Sequence, residues 1–236
     1  MKGYVSSIQS LGTLDGPGLR YVIFLQGCNL RCGCCHNPET WALKKGTEVD
    51  SSDLIKKALR YTEYFKNNGG ITLSGGEPLL QAAFSKDIFK KAKESNLNTC
   101  LDTSGSIFNE DVKELLEYTD RVLLDIKYTN DEEYLKYVGC SFEQVLKFLN
   151  YLEKKKIPTT IRQVIIPTLN DGIENIHKLN EIISIYKCVD KIELLPFKKM
   201  CQTKYENLNL EFPFKNFEET SKELIDKLSK EISILR

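Results

Sequence analysis

The chain lacks several features that would assign it to a common class of protein. Its 33 Lys and Arg residues balance 33 Asp and Glu residues, so it has no basic excess with which to contact nucleic-acid phosphates. No stretch approaches the roughly 18 apolar residues of a membrane span, and the opening MKGYVSSIQS lacks the apolar core of a secretory signal. We therefore expect a cytoplasmic protein that binds neither nucleic acid nor a membrane.

The chain also lacks internal repeats, low-complexity tracts and linkers rich in Pro, Gly or Ser, so we expect one domain over residues 1–236. Short β-branched or aromatic stretches predict six strands, and stretches with helical spacing separate most of them. The predicted strands are 20–26, 70–74, 98–103, 121–126, 159–166 and 190–196. The helical stretches run from Leu54 to Phe65, Phe84 to Ala92, Val112 to Leu116, Phe142 to Leu152, Ile176 to Ile183 and Phe217 to Ile232.

This alternation predicts an α/β fold in which parallel strands are joined by right-handed crossovers, either as a barrel or as an open doubly wound sheet. Both architectures place their chemistry at the carboxyl ends of the strands. The unusual residues fall at those ends: a cysteine cluster follows the first strand, SGGEP follows the second, and Asp102 ends the third. Asp125 and Lys127 end the fourth strand two positions apart, so their side chains should face the same side. A simple salt bridge is the alternative interpretation of that pair.

Eight cysteines could pair as disulfides, but the chain is long for a disulfide scaffold and has no export signal. Reduced thiols or metal ligands fit better. Four cysteines are scattered singly and are expected to be small buried hydrophobic residues: Cys100, Cys140, Cys188 and Cys201.

The other four cysteines crowd into GCNLRCGCCHN, residues 27–37. Cys28, Cys32 and Cys35 have the spacing C-x3-C-x2-C, which suits a cubane iron–sulfur cluster with one thiolate on each of three irons. The fourth iron then has no obvious protein ligand. From spacing alone a structural zinc site is the alternative, with Cys34 or His36 as the fourth ligand.

The motifs together resemble a known family. DGPGLR, CHNPETW, SGGEP, CLDTSG, LLDIK and IELLPF occur between about residues 7 and 197, in the order and at intervals similar to those of radical S-adenosylmethionine enzymes. Within that superfamily they look like the pyruvate formate-lyase-activating enzyme family. The resemblance implies a partial (β/α)6 barrel with parallel strands and outer helices. It also implies a [4Fe–4S] cluster on Cys28, Cys32 and Cys35.

The resemblance implies an oxidoreductase that reductively cleaves S-adenosylmethionine at the cluster. The product radical removes a hydrogen from the Cα of one glycine in a partner glycyl-radical enzyme, such as pyruvate formate-lyase. Flavodoxin or ferredoxin is the implied electron donor, and a monomer is the simplest expectation. Residues 36–99 contain no cysteine, which argues against a second cluster and favours the pyruvate formate-lyase branch.

The resemblance also carries site residues onto this chain. The implied S-adenosylmethionine contacts are Cys34, His36, Gly75, Gly76, Glu77, Asp125, Ile126, Lys127 and Lys198. Asp102, Thr103 and Asp125 resemble a monovalent-cation site, and Asp15 and Arg162 match residues near the groove for the partner's glycyl loop. Simpler interpretations exist: a tight turn at the glycines, a turn cap at Asp15 and a salt bridge at Arg162.

Two positions depart from the family pattern. Cys34 stands where an aromatic residue is usual, and Lys198 stands where a histidine is usual. Among enzymes, the alternative is another short radical S-adenosylmethionine enzyme, such as an anaerobic ribonucleotide reductase activase or a small-molecule radical enzyme. Outside enzymes, the alternative is a zinc-stabilised binding module.

Overall fold

The computed structural model describes residues 1–66 and 68–233. Within them the strands are β1 (Lys2–Gly12), β2 (Arg20–Leu25), β3 (Thr47–Asp50), β4 (Gly70–Gly75), β5 (Asn98–Thr103), β6 (Arg121–Asp125), β7 (Thr159–Ile165) and β8 (Val189–Pro196). The α-helices are α1 (Ser51–Ala58), α2 (Thr62–Phe65), α3 (Ala82–Glu94), α4 (Glu110–Leu116), α5 (Asp131–Tyr137), α6 (Phe142–Lys155), α7 (Ile173–Ile183), α8 (Gln202–Asn207) and α9 (Lys222–Ser229). Short 3-10 helices span Pro38–Thr40, Leu59–Tyr61 and Pro78–Gln81.

The strands form a mostly parallel, open sheet in the order β3-β1-β2-β4-β5-β6-β7-β8. The pairs β2–β4, β4–β5 and β7–β8 are parallel. All six predicted strands are present and differ by at most one residue at either end. The α/β prediction with parallel strands is therefore confirmed.

The sequence-based prediction missed β1 and β3, which pair antiparallel at one end of the sheet order. The middle of β1 reads SSIQS and is mostly exposed, so it lacks the alternation of apolar and polar residues that marks a half-buried strand. β3 has only four residues, none of them buried. The sequence of neither strand can therefore be distinguished from that of a loop.

The predicted helices are present with changed boundaries. The stretch from Leu54 to Phe65 is broken by the 3-10 helix Leu59–Tyr61, and Phe217 and Ile232 lie outside α9. The short helices α5 and α8 were not predicted, because each buries a single residue, Tyr134 and Tyr205 respectively. A helix with one buried residue has no apolar residues repeating at helical spacing, so its sequence does not indicate a helix.

The chain divides into two compact units, and each has its own apolar core. The first unit comprises residues 1–29 and 40–123, and the second comprises residues 30–39 and the chain from residue 124 onward. The core of the first unit includes Ile23, Leu73, Ile88, Phe89 and Leu101, and that of the second includes Val145, Phe148, Leu149, Ile161 and Leu179. The single domain over residues 1–236 remains a prediction.

The scattered cysteines largely behave as expected. Cys100, Cys188 and Cys201 are buried thiols, as predicted, whereas Cys140 is half-exposed.

Among the described residues, no helix has the length and apolar character needed to cross a membrane.

Arg20 is a buried charge at the start of β2 that holds together the first unit. Its side chain has no exposed surface. Nε donates to Thr72 Oγ1 at 2.9 Å, Nη1 to Asn98 Oδ1 at 2.8 Å and Nη2 to the Ile71 carbonyl at 2.6 Å. Burial lowers the pKa of Arg20, although the nearby Cys100 and acidic groups oppose that effect. The guanidinium thus connects β2 with residues of β4 and β5.

We predict that Arg20→Met lowers the free energy of unfolding by roughly 3 kcal/mol or more, because several buried acceptors lose a charged donor. Denaturant titration of the variant measures the loss. Arg60→Met is the matched control: Arg60 is exposed, and its replacement should cost less than about 0.5 kcal/mol. Equal stability of the two variants would contradict the role assigned to Arg20.

Candidate active site

Cys28 lies in the first unit, three residues beyond the end of β2. The main chain around it is fixed by residues 40–42: Gly27 N donates to the Thr40 carbonyl at 2.7 Å and Cys28 N to the Trp41 carbonyl at 3.3 Å. The side chain of Asn29 donates to Ser106 Oγ at 3.1 Å. The first cysteine of the motif is therefore held on both sides by hydrogen bonds.

The SGGEP loop follows β4 and packs directly against the main chain around Gly27. Gly75 has φ +109°, and a Cβ added at Gly76 would lie 2.1 Å from the Gly27 carbonyl oxygen. The amide of Gly76 donates to the Leu25 carbonyl at 3.0 Å, and that of Glu77 donates to the Gly27 carbonyl at 2.8 Å. These two amides are therefore not available as donors to a ligand, because the neighbouring main chain already accepts from them.

Glu77 is buried, and its carboxylate accepts four hydrogen bonds within the first unit. Oε1 accepts from Leu79 N at 3.1 Å and from Thr103 Oγ1 at 2.6 Å. Oε2 accepts from Ser104 N at 3.0 Å and from the Ser104 hydroxyl. Burial raises the pKa of Glu77, against the opposing effect of these donors. The carboxylate therefore anchors the end of β5 to the SGGEP loop.

Asp102 and Thr103, at the end of β5, take part in the same network. Asp102 Oδ2 accepts from Ser74 Oγ at 2.6 Å. The Thr103 hydroxyl donates to Glu77 and accepts from Gly105 N at 3.1 Å. The cation site proposed for these residues stays a prediction, because no contact in the structure tests it.

Asp15 lies in the loop between β1 and β2, and Thr72 Oγ1 donates to its carbonyl oxygen at 2.7 Å. The same hydroxyl accepts from Arg20 Nε. DGPGLR is thus a segment whose main chain is anchored to β4. Its role near a partner's glycyl loop remains a prediction.

In the second unit, Asp125 lies between two cations. Its Oδ2 is 3.0 Å from Lys127 Nζ, and its Oδ1 is 3.3 Å from Arg162 Nε. This contact confirms that Asp125 and Lys127 face the same side, whereas Ile126 between them is fully buried. Arg162 forms the salt bridge that was the simpler interpretation of that residue.

Asp125 and its two cationic neighbours stabilise one another in their charged forms. Burial alone would raise the pKa of Asp125, but Lys127 and Arg162 hold it below its ordinary value. Burial alone would lower the pKa of Lys127, but Asp125 and the thiols of Cys32 and Cys34 hold it well above its ordinary value. Lys127 is therefore an ammonium beside two cysteines.

The second part of the cysteine loop, residues 30–39, is fixed within the second unit. Arg31 N donates to the Val138 carbonyl at 3.1 Å, and Gly33 N donates to the Tyr137 carbonyl at 2.9 Å. A Cβ added at Gly33 would lie 2.3 Å from the ring of the buried Phe214. Gly33, between Cys32 and Cys34, can therefore accept no larger side chain without displacing that ring.

Helix α8 fixes the end of this loop. The Tyr205 hydroxyl donates to the Cys35 carbonyl at 3.2 Å, and Lys204 Nζ lies 2.5 Å from Glu39 Oε1 and 2.9 Å from Asn37 Oδ1. The sequence-based reasoning missed α8. The only indication of α8 in the sequence is the pair Lys204 and Tyr205 after the last strand.

Cys34 differs from its neighbours in its surroundings. Burial raises the pKa of the Cys34 thiol to about 11, against the attraction of the Lys127 ammonium. At neutral pH this thiol is therefore protonated. No contact in the structure tests a ligand role for Cys34, and its contact with S-adenosylmethionine remains a prediction.

The side chain of His36 contacts the main chain of Lys198 rather than its side chain. His36 Nε2 lies 2.9 Å from the Lys198 carbonyl oxygen, to which an N–H at that position donates. The Lys198 ammonium lies 3.1 Å from Glu219 Oε2, and its side chain is 40 % exposed. The ammonium is thus directed to a surface carboxylate, and a contact between Lys198 and S-adenosylmethionine remains a prediction.

Helix α5, also missed from the sequence, supports both parts of the second unit's site. The buried Tyr134 accepts from Lys127 N at 2.9 Å and is 3.5 Å from the Asp125 carbonyl. The next turn provides the carbonyls of Tyr137 and Val138 that accept from the cysteine loop. One short helix thus positions the loop and the Asp125–Lys127 segment.

A family model for the radical SAM superfamily matches residues 22–179. A curated relative from Clostridium pasteurianum, a pyruvate formate-lyase-activating enzyme, is 44% identical over 229 residues, covering 97% of this chain and 96% of the relative. The chain belongs to the pyruvate formate-lyase-activating enzyme family of the radical SAM superfamily.

Other relatives and structures agree with this family. Proteins of the same name from Staphylococcus epidermidis and Listeria monocytogenes are 40% and 38% identical, and the matches cover 95% and 94% of this chain and 93% of each relative. The crystal structure of a domain of a pyruvate formate-lyase-activating enzyme from Bacteroides vulgatus has a TM-score of 0.58 at 23% identity, over 70% of this chain and 92% of that one. A radical SAM methyltransferase from Sphaerobacter thermophilus has a TM-score of 0.63 at 14% identity, over 90% of this chain and 63% of that one. At these identities the two structures show the fold alone.

The radical SAM family implies a [4Fe–4S] cluster and S-adenosylmethionine, and the chemistry of the cysteine loop fits such a cluster. Cys32 and Cys35 are half-buried thiols, and Asn37 N donates to Cys35 Sγ at 3.4 Å, a contact that stabilises a thiolate ligand. In the described residues no three His, Cys, Asp or Glu side chains converge on a single metal ion. A cubane has no such requirement, because each thiolate holds a different iron.

We predict that Tyr134→Phe lowers the free energy of unfolding by about 1–3 kcal/mol, because the buried amide of Lys127 loses its acceptor. Denaturant titration of the iron-free chain measures this loss. Tyr64→Phe is the control, since the Tyr64 side chain is exposed. A Tyr134→Phe variant as stable as this control would show that the hydroxyl does not support the Asp125–Lys127 segment.

Proposed function

We propose that this chain is an oxidoreductase that activates a glycyl-radical enzyme of the pyruvate formate-lyase type. The observation that carries the proposal is 38–44% identity, over nearly the whole chain, to curated enzymes named for that activity. The C-x3-C-x2-C motif at the carboxyl end of β2 supports it. The family match runs across residues of both units, which supports one radical SAM domain over residues 1–236.

Cys28, Cys32 and Cys35 are the proposed cluster ligands. When bound there, the [4Fe–4S] cluster would supply the electron for reductive cleavage of S-adenosylmethionine, the chemistry that would remove a hydrogen from the Cα of a glycine in the partner. The chain's own contribution is to hold and shield the reactants. The hydrogen bond from Asn37 N to Cys35 Sγ and the nearby Lys127 ammonium both favour the thiolate form of the ligands.

The SGGEP loop is the proposed contact for the amino group of S-adenosylmethionine. An ammonium is a donor and needs acceptors. The amides of Gly76 and Glu77 and the carboxylate of Glu77 are already engaged, and the Glu77 carbonyl accepts from Leu80 N at 3.1 Å. Because a carbonyl oxygen has two lone pairs, we propose main-chain carbonyls of Gly75, Gly76 and Glu77 as the acceptors. For the rest of the ligand we propose contacts with Cys34, His36, Asp125, Ile126 and Lys127.

Lys198 is also proposed as a contact of S-adenosylmethionine, and its main-chain carbonyl lies 2.9 Å from His36 Nε2. The monovalent cation is proposed at Asp102, Thr103 and Asp125. Asp125 already has two cationic neighbours, so charge neutralisation by the cation concerns Asp102. Asp15 and Arg162 are the proposed neighbours of the partner's glycyl loop.

Flavodoxin or ferredoxin is the proposed electron donor, and the proposed working form is a monomer that docks transiently on its partner. We propose a cytoplasmic location, because all eight cysteines are present as thiols and such residues persist in a reducing compartment. Neither nucleic acid nor a membrane is a proposed partner.

Anaerobic reconstitution with iron and sulfide tests this function. We expect about four irons and no zinc per chain, release of 5′-deoxyadenosine after reduction with dithionite, and a glycyl radical on pyruvate formate-lyase detected by electron paramagnetic resonance. Zinc in place of iron would establish the binding module instead. Nucleoside release without a radical on pyruvate formate-lyase would establish another radical SAM enzyme.

We predict that Cys28→Ala, Cys32→Ala and Cys35→Ala each lower bound iron and nucleoside release at least about tenfold, because each removes one iron ligand. Cys34→Ala is the matched control within the same loop and should keep its iron. Loss of iron from the control, with retention in any of the other three variants, would mean that the ligand assignment is wrong.

A further inference from the structure

The first unit carries an exposed turn directly after the segment that contacts Cys28. Residues 40–42 accept hydrogen bonds from Gly27 N, Cys28 N and the Gln26 side chain, the last at 2.7 Å. The chain then turns at Lys44, whose φ is +57°. Leu43, at the start of this turn, is 66% exposed.

A second leucine lies beside the same part of the chain. A Cβ built on Gly27 would be 3.0 Å from Leu43 Cδ2 and 3.8 Å from Leu80 Cδ1. Leu80 is 37% exposed. Two leucines with solvent-exposed surface therefore flank the residue that immediately precedes Cys28.

Two lysines stand next to Leu43. Lys44 and Lys45 are both exposed, and neither forms an ion pair with any residue in 1–66 or 68–233. Many other lysines of the chain have a carboxylate partner, such as Lys2 with Glu48 and Lys86 with Glu114. The turn therefore combines apolar surface with uncompensated positive charge.

We propose that Leu43, Lys44, Lys45 and Leu80, here called the Leu43 surface, dock an acidic one-electron carrier protein that reduces the cluster. The proposal rests on the proposed function. In the transfer, one electron leaves the reduced carrier and enters the oxidised cluster, and no bond is formed or broken. Leu43 lies two residues after Trp41, whose carbonyl accepts from Cys28 N at 3.3 Å, so a carrier seated there is close to a proposed cluster ligand.

The size and charge of the surface suit this kind of partner. Electron-transfer complexes are among the smallest specific protein interfaces, since they must form and separate rapidly. Two lysines steer an acidic partner, and the leucines provide desolvated contact once it has arrived. A permanent partner would require a larger apolar area.

The test compares two electron sources on the reconstituted holoenzyme. In the Lys44→Glu/Lys45→Glu double variant, reduction of the cluster by reduced flavodoxin or ferredoxin should slow at least about tenfold at low ionic strength, and added salt should narrow the difference. Reduction by dithionite, a small anion that needs no docking surface, should slow much less than reduction by the carrier. Stopped-flow absorbance of the cluster follows both reactions, and titration of the carrier measures its affinity.

Lys56→Glu/Lys57→Glu is the matched control, because it changes net charge equally on the exposed side of α1. Equal slowing in the control would overturn the Leu43 surface and assign the effect to net charge. Carrier-driven reduction of the Lys44→Glu/Lys45→Glu variant at the normal rate would also overturn it. Leu43→Ser should weaken carrier affinity while preserving its salt dependence.

The two proposals fail in different ways. If the unmodified chain binds no iron, or releases no nucleoside with dithionite, the proposed function fails and the docking proposal falls with it. If dithionite supports turnover in every variant and the carriers reduce every variant at the same rate, only the proposal for the Leu43 surface is refuted.

Discussion

The site in the first unit depends on the close approach of two stretches of main chain at the carboxyl ends of β2 and β4. Gly76 lies so near the Gly27 carbonyl that a Cβ there would be 2.1 Å from its oxygen. The same carbonyl accepts from the amide of Glu77. Because Gly27 precedes Cys28, the position of the first cysteine is set by a contact that admits no side chain.

A buried carboxylate in the first unit and a half-buried one in the second stabilise their units with opposite electrostatic results. Glu77 is satisfied by neutral donors from Leu79, Thr103 and Ser104, and burial still raises its pKa. Asp125 is satisfied by two cations, which lower its pKa. A buried carboxylate requires such partners, since an unpaired one would be costly to desolvate. The first network orders loops, whereas the second also keeps a positive charge beside cysteine thiols.

The sequence was sufficient for the strands that carry the site and insufficient for the parts that support them. The central residues of β4 and β6 are β-branched or apolar, Ile-Thr-Leu and Val-Leu-Leu, and glycine or polar residues lie at the strand ends, so the limits of these strands were predictable. β1, α5 and α8 bury few residues and therefore leave no periodic pattern. The pairing of Asp125 with Lys127 followed from the two-residue period of a strand. The contributions of Arg20 and Tyr134 did not, because their partners are main-chain atoms and polar side chains whose proximity arises only in three dimensions.

The contact between His36 and residue 198 has a consequence for how this family varies. The atom that receives the histidine is a carbonyl oxygen of the main chain, which every amino acid provides. The side chain at residue 198 is therefore not needed for this hydrogen bond. A substitution there leaves the contact between His36 and the main chain in place. A sequence pattern that requires histidine at residue 198 would therefore miss this chain, although the acceptor for His36 is present.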